Sequence, residues 1–290
     1  MGRVGSLRTP SFSKASLFVD FSTLLILIAA LAVGASAGGL IAGLLGVGGG
    51  IIFVPVLLAI FDFLGYPASV TMHLAVATSL TLIILTSYSS IRAHHAKGKV
   101  DVPILRAWVP YVIAGAIIGG ILARFLDGAA LKGVFGVVAL LAAANLMMSS
   151  SYRFGDAVPT GGFVGRLVPA FNSFISTLMG VGGGTLNVPT LTAFGAPMHM
   201  AVGTAAAFGM GIALPGAVTM MISGLGIDGK PPLTLGYVNF LAVAIMAPLT
   251  MYCAPWGAKL AHALPAVWLR RVFAAFLVIN GIRMLWGTFA

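Results

Sequence analysis

Long stretches without charge dominate this sequence and decide its fold class. No charged residue occurs between Phe21 and Phe61, and none between Leu167 and Ile227 apart from the titratable His199. Only 8% of the 290 residues are charged, whereas an ordinary soluble domain has about 25%. A helix of about 20 apolar residues crosses a bilayer. The sequence therefore predicts an all-α polytopic membrane protein.

The charged residues that remain are mostly basic and lie in short loops. They give a net charge of +10, from 16 basic and 6 acidic residues. Basic loops between apolar segments are typical of membrane proteins, so the lipid bilayer is the expected partner and nucleic acid is not. The chain has no Glu and no metalloprotease, P-loop or nucleophile-elbow motif. We therefore expect no enzymatic activity, no cofactor and no metal site.

A glycine-rich motif occurs twice in the chain. Residues 44–57 read LLGVGGGIIFVPVL and residues 178–191 read LMGVGGGTLNVPTL, with nine of 14 positions identical at an offset of 134. A second block also recurs, as HLAVATS at 73–79 and HMAVGTA at 199–205. Matching Gly/Pro-interrupted segments in two halves are the best sequence indication of a secondary transporter's binding site.

The duplication predicts two homologous halves of about five segments each. We divide the chain into an N-terminal tail (1–19), a first transmembrane repeat (20–148), a linker loop (149–163) and a second repeat (164–290). The predicted segments are 22–45, 51–64, 70–91, 103–125 and 131–148, then 164–180, 186–196, 200–222, 234–256 and 266–287. The loop charges favour inverted repeats. Parallel repeats, with four crossings each, are the alternative.

The glycine motifs are the predicted binding site. Three consecutive glycines weaken a helix, and a broken backbone within the bilayer requires polar partners or a water-filled cavity. A helix that starts after the break presents free N–H groups and a positive dipole end, which favour an anion near the midplane. Close helix packing is the alternative role of these glycines. The glycines concerned are Gly48, Gly49, Gly50, Gly182, Gly183 and Gly184.

Polar side chains near the motifs complete the predicted site. Two of them replace Ile51 and Phe53 of the first motif, so the site is expected to be asymmetric. Hydroxyls can donate to an oxyanion, or can bond to their own helix instead. Histidines can carry a proton or bind an anion, or can serve as caps. The candidate side chains are Thr185, Asn187, Thr78, Ser79, Thr204, His73 and His199.

With its paired GVGGG-x-x-x-V-P blocks, each followed by Ala-Val-x-Thr, the sequence resembles the TauE/SafE sulfite exporter family over about residues 20–287. The motif residues are Gly46 to Gly50 with Pro55, and Gly180 to Gly184 with Pro189. The resemblance implies a secondary carrier of the bacterial inner membrane for small sulfur-containing anions such as sulfite, thiosulfate or sulfoacetate. One departure lies between the motifs and the histidines: Pro67 precedes His73 by six residues, whereas Pro197 precedes His199 by two.

These observations predict a transporter that exports a small anion by alternating access. Coupling is expected to the membrane potential or to protons, with Asp62, Asp101 and the histidines as the candidate proton carriers. The alternative is a passive anion channel, which would conduct without saturation.

Overall fold

The fold is a bundle of α-helices with one small hairpin. The computed structural model describes residues 21–45, 49–96, 98–147, 155–263 and 266–289. The helices of the first half are α1 (Phe21–Leu45), α2 (Gly50–Phe63), α3 (Ala68–His95), α4 (Val102–Ala123) and α5 (Gly128–Met147). Those of the second half are α6 (Gly162–Met179), α7 (Gly184–Ala193), α8 (Met198–Ser223), α9 (Phe240–Ala263) and α10 (Ala266–Phe289).

Local sequence signals account for many of the helix ends. Asp101 precedes α4, and its carboxylate accepts a hydrogen bond of 3.0 Å from the Ile104 N–H. Asn239 caps α9 in the same way, by accepting 2.8 Å from the Ala242 N–H. Such caps satisfy backbone donors that lack a partner within the helix. The all-α architecture predicted from the charge-free runs is confirmed.

One predicted segment differs from the structure at its start. The helix expected over 234–256 begins only at Phe240, after a hairpin of β1 (Thr234–Leu235) and β2 (Val238–Asn239). Gly236 lies in the turn with a φ of 60°, a value that glycine adopts without strain. The prediction of a helix over 234–239 is therefore wrong, because these residues form the hairpin. Helix α6 also begins within the predicted linker, at Gly162.

Five helices of the described ranges are long and apolar enough to cross a membrane. They are Ala68–Arg92, Val102–Ala123, Gly128–Asn145, Met198–Ser223 and Phe240–Gly257. The helices after the glycine breaks are shorter, with 14 residues in α2 and 10 in α7. At about 1.5 Å per residue, α2 reaches about 21 Å and α7 about 15 Å, less than the hydrocarbon thickness of about 30 Å.

The two halves share one core rather than forming separate bundles. The most extensive helix contacts join α1 to α9, α4 to α6, α5 to α10, and α3 to α8. Each of these pairs takes one helix from either half. Small residues bring the backbones close: a Cβ atom at Gly119 of α4 would lie 2.7 Å from the Phe174 carbonyl oxygen of α6. Close approach at glycine is a common way to pack helices in membranes.

Corresponding helices of the two halves run in opposite directions where they meet. Helix α3 is antiparallel to α8, because Leu80 lies against Gly216 while Ser87, further along α3, lies against the earlier Gly209. Helices α5 and α10 are antiparallel by the same criterion. Inverted repeats stay a prediction, and these helix directions agree with it.

Candidate functional site

The second glycine break begins where α6 ends. Gly180 has a φ of 69°, and the N–H of the following Val181 donates 2.9 Å to the Ser176 carbonyl oxygen. This is a Schellman motif, which ends a helix at a left-handed glycine. A side chain at Gly180 would also collide with the first half, because its Cβ would lie 2.8 Å from Val54 Cγ2 and from Val76 Cα. Both the conformation and the space therefore require glycine here.

The two glycine breaks touch each other. A Cβ atom at Gly50, the first residue of α2, would lie 2.7 Å from the Gly180 carbonyl oxygen and 2.9 Å from Val181 Cα. The Ser79 hydroxyl donates 2.7 Å to the same carbonyl, which ties α3 to the break of the other half. Of the predicted glycines, Gly48 lies outside the described residues. Gly49, Gly50, Gly182, Gly183 and Gly184 are buried.

Both short helices begin without a side-chain cap. The N-cap of α2 is Gly49 and that of α7 is Gly183, and neither glycine can supply a side-chain cap. The first backbone hydrogen bond of α7 is donated by the Asn187 N–H to the Gly183 carbonyl oxygen, at 3.0 Å. The N–H groups before it have no carbonyl one turn earlier within the helix. A buried and uncapped helix start of this kind suits an anion.

Polar side chains link α6 to α7 just beside the second break. The Asn172 amide nitrogen donates to Asn187 Oδ1 at 3.2 Å and to Thr190 Oγ1 at 2.9 Å. Thr190 in turn donates 2.7 Å to the Leu186 carbonyl oxygen. These bonds hold Asn187, which is fully buried, in one orientation against α6.

Several buried polar atoms of the second half have no hydrogen-bond partner among the residues that the structure describes. They are Ser173 Oγ, Ser176 Oγ, Thr185 Oγ1 and Asn187 Nδ2. Leaving such a group unsatisfied costs about 1–3 kcal/mol, so these atoms point to a ligand that would satisfy them. The matching positions of the first half are the buried Ile51 and Phe53. The chemical asymmetry expected between the two motifs is therefore present in the structure.

The three predicted hydroxyls contact the opposite half. Thr78 Oγ1 accepts 3.0 Å from the Asn239 N–H, and Thr204 Oγ1 accepts 2.9 Å from the Asp101 N–H. Each bond joins the long helix of one half to the start of a helix in the other. We call this pair of bonds the two latches. Ser79 has the contact with Gly180 described above, so all three hydroxyls support the frame around the breaks, and their role in binding substrate stays a prediction.

The two predicted histidines have different surroundings. His73 is buried, and its Nε2 lies 3.0 Å from the Ala123 carbonyl oxygen and 3.1 Å from that of Leu126. Because carbonyls only accept, Nε2 must carry a hydrogen. The ring stacks on Tyr237 of the other half, with centroids 4.8 Å apart. His199 is exposed in the first turn of α8.

An extra helical turn explains why the histidines differ. Helix α2 is four residues longer than α7 (14 against 10). Pro67 is the N-cap of α3 and Pro197 is that of α8. The spacing from this proline to the histidine is also four residues longer in the first half, six residues against two. Four residues are about one turn. The α2–α3 hairpin therefore extends one turn beyond His73, whereas the α7–α8 hairpin ends beside His199.

Tyr237 also belongs to the surroundings of His73. Burial raises the pKa of the Tyr237 phenol above its ordinary value, although the nearby Arg124 lowers it in part. The phenol therefore stays neutral at physiological pH. The stack of His73 and Tyr237 links α3 to the hairpin that precedes α9.

Four polar residues beside the second break were missed by sequence reasoning. They are Asn172, Ser173, Ser176 and Thr190. The three on α6 follow a helical spacing, with Asn172 four residues before Ser176, so they share one face of the helix. That spacing was the available signal.

The fold and the site together define a class of protein. The chain is a multi-pass helical membrane protein in which a glycine-broken segment of each half meets the other inside the bundle. Interrupted helices at equivalent places in two repeats form the binding sites of transporters. The protein is a membrane transporter.

Comparison with known proteins agrees with this class and names a family. Residues 30–284 match the family described as "Sulfite exporter TauE/SafE". A "Probable membrane transporter protein" of Haemophilus influenzae is 30% identical over 257 residues, which cover 88% of this chain and 96% of the relative. One of Methanocaldococcus jannaschii is 28% identical over 279 residues, covering 92% and 98% respectively. The chain belongs to the TauE/SafE sulfite exporter family. No solved structure matches it.

Proposed function

We propose that this protein is a secondary transporter that exports small sulfur-containing anions across the bacterial inner membrane by alternating access. Its substrates would be sulfite, thiosulfate or a sulfonate such as sulfoacetate. The observation that carries the proposal is the contact between the two breaks, Gly50 against Gly180, beside a group of buried and unpartnered polar atoms. The family description, which names sulfite, supports this choice of substrate.

The chemistry beside the second break suits an anion bound without a cationic side chain. Among the residues that the structure describes, no Lys, Arg or Asp side chain is fully buried. Two serines, a threonine and an amide supply the unpartnered side-chain groups. The start of α7 adds backbone N–H groups and the positive end of its dipole. Neutral donors of this kind match the oxygens of a sulfite or sulfonate group.

Alternating access is supported by the relation between the halves. Helix α3 is antiparallel to α8, and α5 is antiparallel to α10, as in transporters whose inverted repeats exchange conformations. The two latches are related in the same way, since each half bonds to a helix start of the other. In our account, one half rocks against the other around the breaks.

The membrane potential is a sufficient driving force for export. Moving one elementary charge across the membrane is worth about 2.3 kcal/mol per 100 mV. An inside-negative potential therefore drives a monovalent anion outwards without a proton. Among the proton carriers considered, Asp62 is exposed and Asp101 already accepts a hydrogen bond as a helix cap. Of the candidates that the structure describes, His73 is the buried one, and it is held against two carbonyl oxygens.

The test is sulfite efflux from liposomes that contain the purified protein. With a potassium gradient and valinomycin, the potential is set to negative or positive inside, at equal pH on both sides. We expect saturable efflux that is faster with a negative interior. Efflux that rises linearly with sulfite concentration would favour the passive channel. Efflux that responds only to a pH gradient would show that transport is coupled to protons instead of being driven by the membrane potential.

A further inference from the structure

We propose that Asn172 and Thr190 act as positioning residues, which orient the Asn187 amide so that it presents only hydrogen-bond donors to the substrate. This inference rests on the proposed function and deepens it. It assigns a role to two residues that are not among the predicted site residues, and it names the kind of oxygen that the site accepts, namely one that carries no hydrogen.

The hydrogen bond between Thr190 and the Leu186 carbonyl oxygen can run in only one direction. Thr190 Oγ1 lies 2.7 Å from the Leu186 carbonyl oxygen, and a carbonyl can only accept. The hydroxyl hydrogen of Thr190 is therefore committed to Leu186. What Thr190 presents to its other neighbour, at 2.9 Å, is a lone pair. That neighbour, the side chain of Asn172, must therefore donate.

The direction of this bond fixes the orientation of the Asn172 amide, which in turn fixes that of Asn187. Asn172 must direct its NH2 group towards Thr190, and the same nitrogen lies 3.2 Å from the Asn187 side chain. Since a donor faces Asn187, the group of Asn187 that meets it must be the oxygen. Amide orientations in proteins are assigned from hydrogen-bond networks, and this network has one consistent assignment that begins at Leu186.

The consequence is that the Asn187 NH2 group faces away from Asn172. It is buried, with no partner among the described residues, and it can only donate. An oxygen of a sulfonate or sulfite dianion satisfies it. A nitrogen that carries its own hydrogens, such as that of a neutral sulfonamide, does not fit this position, because two hydrogens would face each other. The sulfonamide must turn one of its two oxygens to Asn187 and place its NH2 group elsewhere in the site.

The experiment compares two ligands of almost the same shape. Methanesulfonate has three acceptor oxygens, whereas methanesulfonamide replaces one of them by NH2 and is neutral. Binding of each to purified protein is measured by calorimetry, and the ratio of the two Kd values is followed across variants. Because the variants are themselves neutral, a change in this ratio reports amide orientation rather than added charge.

Thr190→Val removes the lone pair that fixes Asn172, and Asn172→Leu removes the donor that fixes Asn187. We expect the preference for methanesulfonate to fall about tenfold in Asn172→Leu and less in Thr190→Val, because the Asn187 amide can then turn. Thr190→Ser keeps both bonds and should retain the wild-type ratio.

A purely structural role would give a different result. If both variants weaken the two ligands equally and leave the ratio unchanged, the positioning role is overturned, whereas the proposed function stands. If the wild type binds neither methanesulfonate nor sulfite, the proposed function fails and this inference fails with it.

Discussion

The two glycine breaks share the sequence GVGGG but differ in the side chains that follow it. The first continues into α2 with Ile51 and Phe53, both buried among apolar neighbours. The second continues into α7 with Thr185 and Asn187, which have polar atoms without partners. The glycines of both allow the backbones to meet. We propose that the repeated glycines set the shape of the centre, and that the residues after them make the second half the one that binds the substrate.

The largest expected effect comes from separating the two breaks. Gly50→Ala places a Cβ 2.7 Å from the Gly180 carbonyl oxygen and 2.9 Å from Val181 Cα. Backbone atoms cannot easily move, and overpacking typically costs about 1–3 kcal/mol. We expect a loss near the upper end, measured as a lower Tm in detergent. Gly287→Ala is the control, because its Cβ would meet nothing within 4 Å. Equal Tm values for the two variants would contradict the contact between the breaks.

The comparison is tested next by removing the amide of the second break. Asn187→Leu keeps the number and branching of the side-chain heavy atoms but removes a donor, and a hydrogen bond to a charged group is worth about 1.5–3 kcal/mol. We expect sulfite binding to weaken by about thirtyfold. Asn280→Leu is the matched control, because that amide donates to its own helix at Phe276. Unchanged affinity in Asn187→Leu would refute the role of the second break.

The corresponding change in the first break should affect stability and not binding. Phe53→Leu makes a small cavity beside α1, because Phe53 is fully buried and lies against Gly38. We expect a loss of about 1–2 kcal/mol in unfolding free energy and a sulfite Kd within about twofold of the wild type. Weaker binding than in Asn187→Leu would show that the first half also holds the substrate.

A smaller pair of changes sharpens the same contrast. Thr185→Val removes an unpartnered hydroxyl, so we expect up to tenfold weaker sulfite binding, or about 1.4 kcal/mol, with little loss of stability. Ile51→Val, at the matching position, should cost about 0.5–1.5 kcal/mol of stability and leave binding intact. Calorimetry and thermal unfolding of the two variants give both quantities. An exchange of these outcomes would reverse the assignment of the two halves.

The smallest effects are expected where the halves are alike. Thr78→Val and Thr204→Val each remove one latch, of 3.0 Å and 2.9 Å respectively. A typical hydrogen bond contributes about 0.5–1.5 kcal/mol, so the two variants should lose similar amounts of stability in thermal unfolding. A loss in one variant alone would show that the latches are not equivalent.

Much of the fold follows from the sequence because hydropathy and length decide it. Nine of the ten predicted segments begin within three residues of the start of the corresponding helix. The exception is α9, which follows a hairpin with Gly236 in its turn. Because several residues of the hairpin are apolar, hydropathy alone does not distinguish it from a helix. The division of the chain into tail, repeats and linker stays a prediction, since the tail lies outside the described residues.

Less of the site follows from the sequence, because it depends on contacts between distant residues. Asn187 could be selected from its motif, whereas the spacing of Asn172 on α6 indicates only a polar face, and its bond to Asn187 is visible only in the structure. The equivalence of His73 and His199 in the alignment hides one extra helical turn, which buries the first and exposes the second. The longer Pro–His spacing of the first half, six residues against two, was the sequence sign of this extra turn.

The most direct test of the account is thermal stabilisation of wild type and Asn187→Leu by sulfite, thiosulfate, sulfoacetate, taurine, sulfate and acetate. A ligand at 100 times its Kd stabilises the folded protein by about 2.7 kcal/mol. We predict a higher Tm of the wild type with sulfite or a sulfonate and little change with acetate, and a much smaller shift in Asn187→Leu. Equal shifts in both proteins, or none in the wild type with any sulfur-containing anion, would contradict a substrate site at the second glycine break.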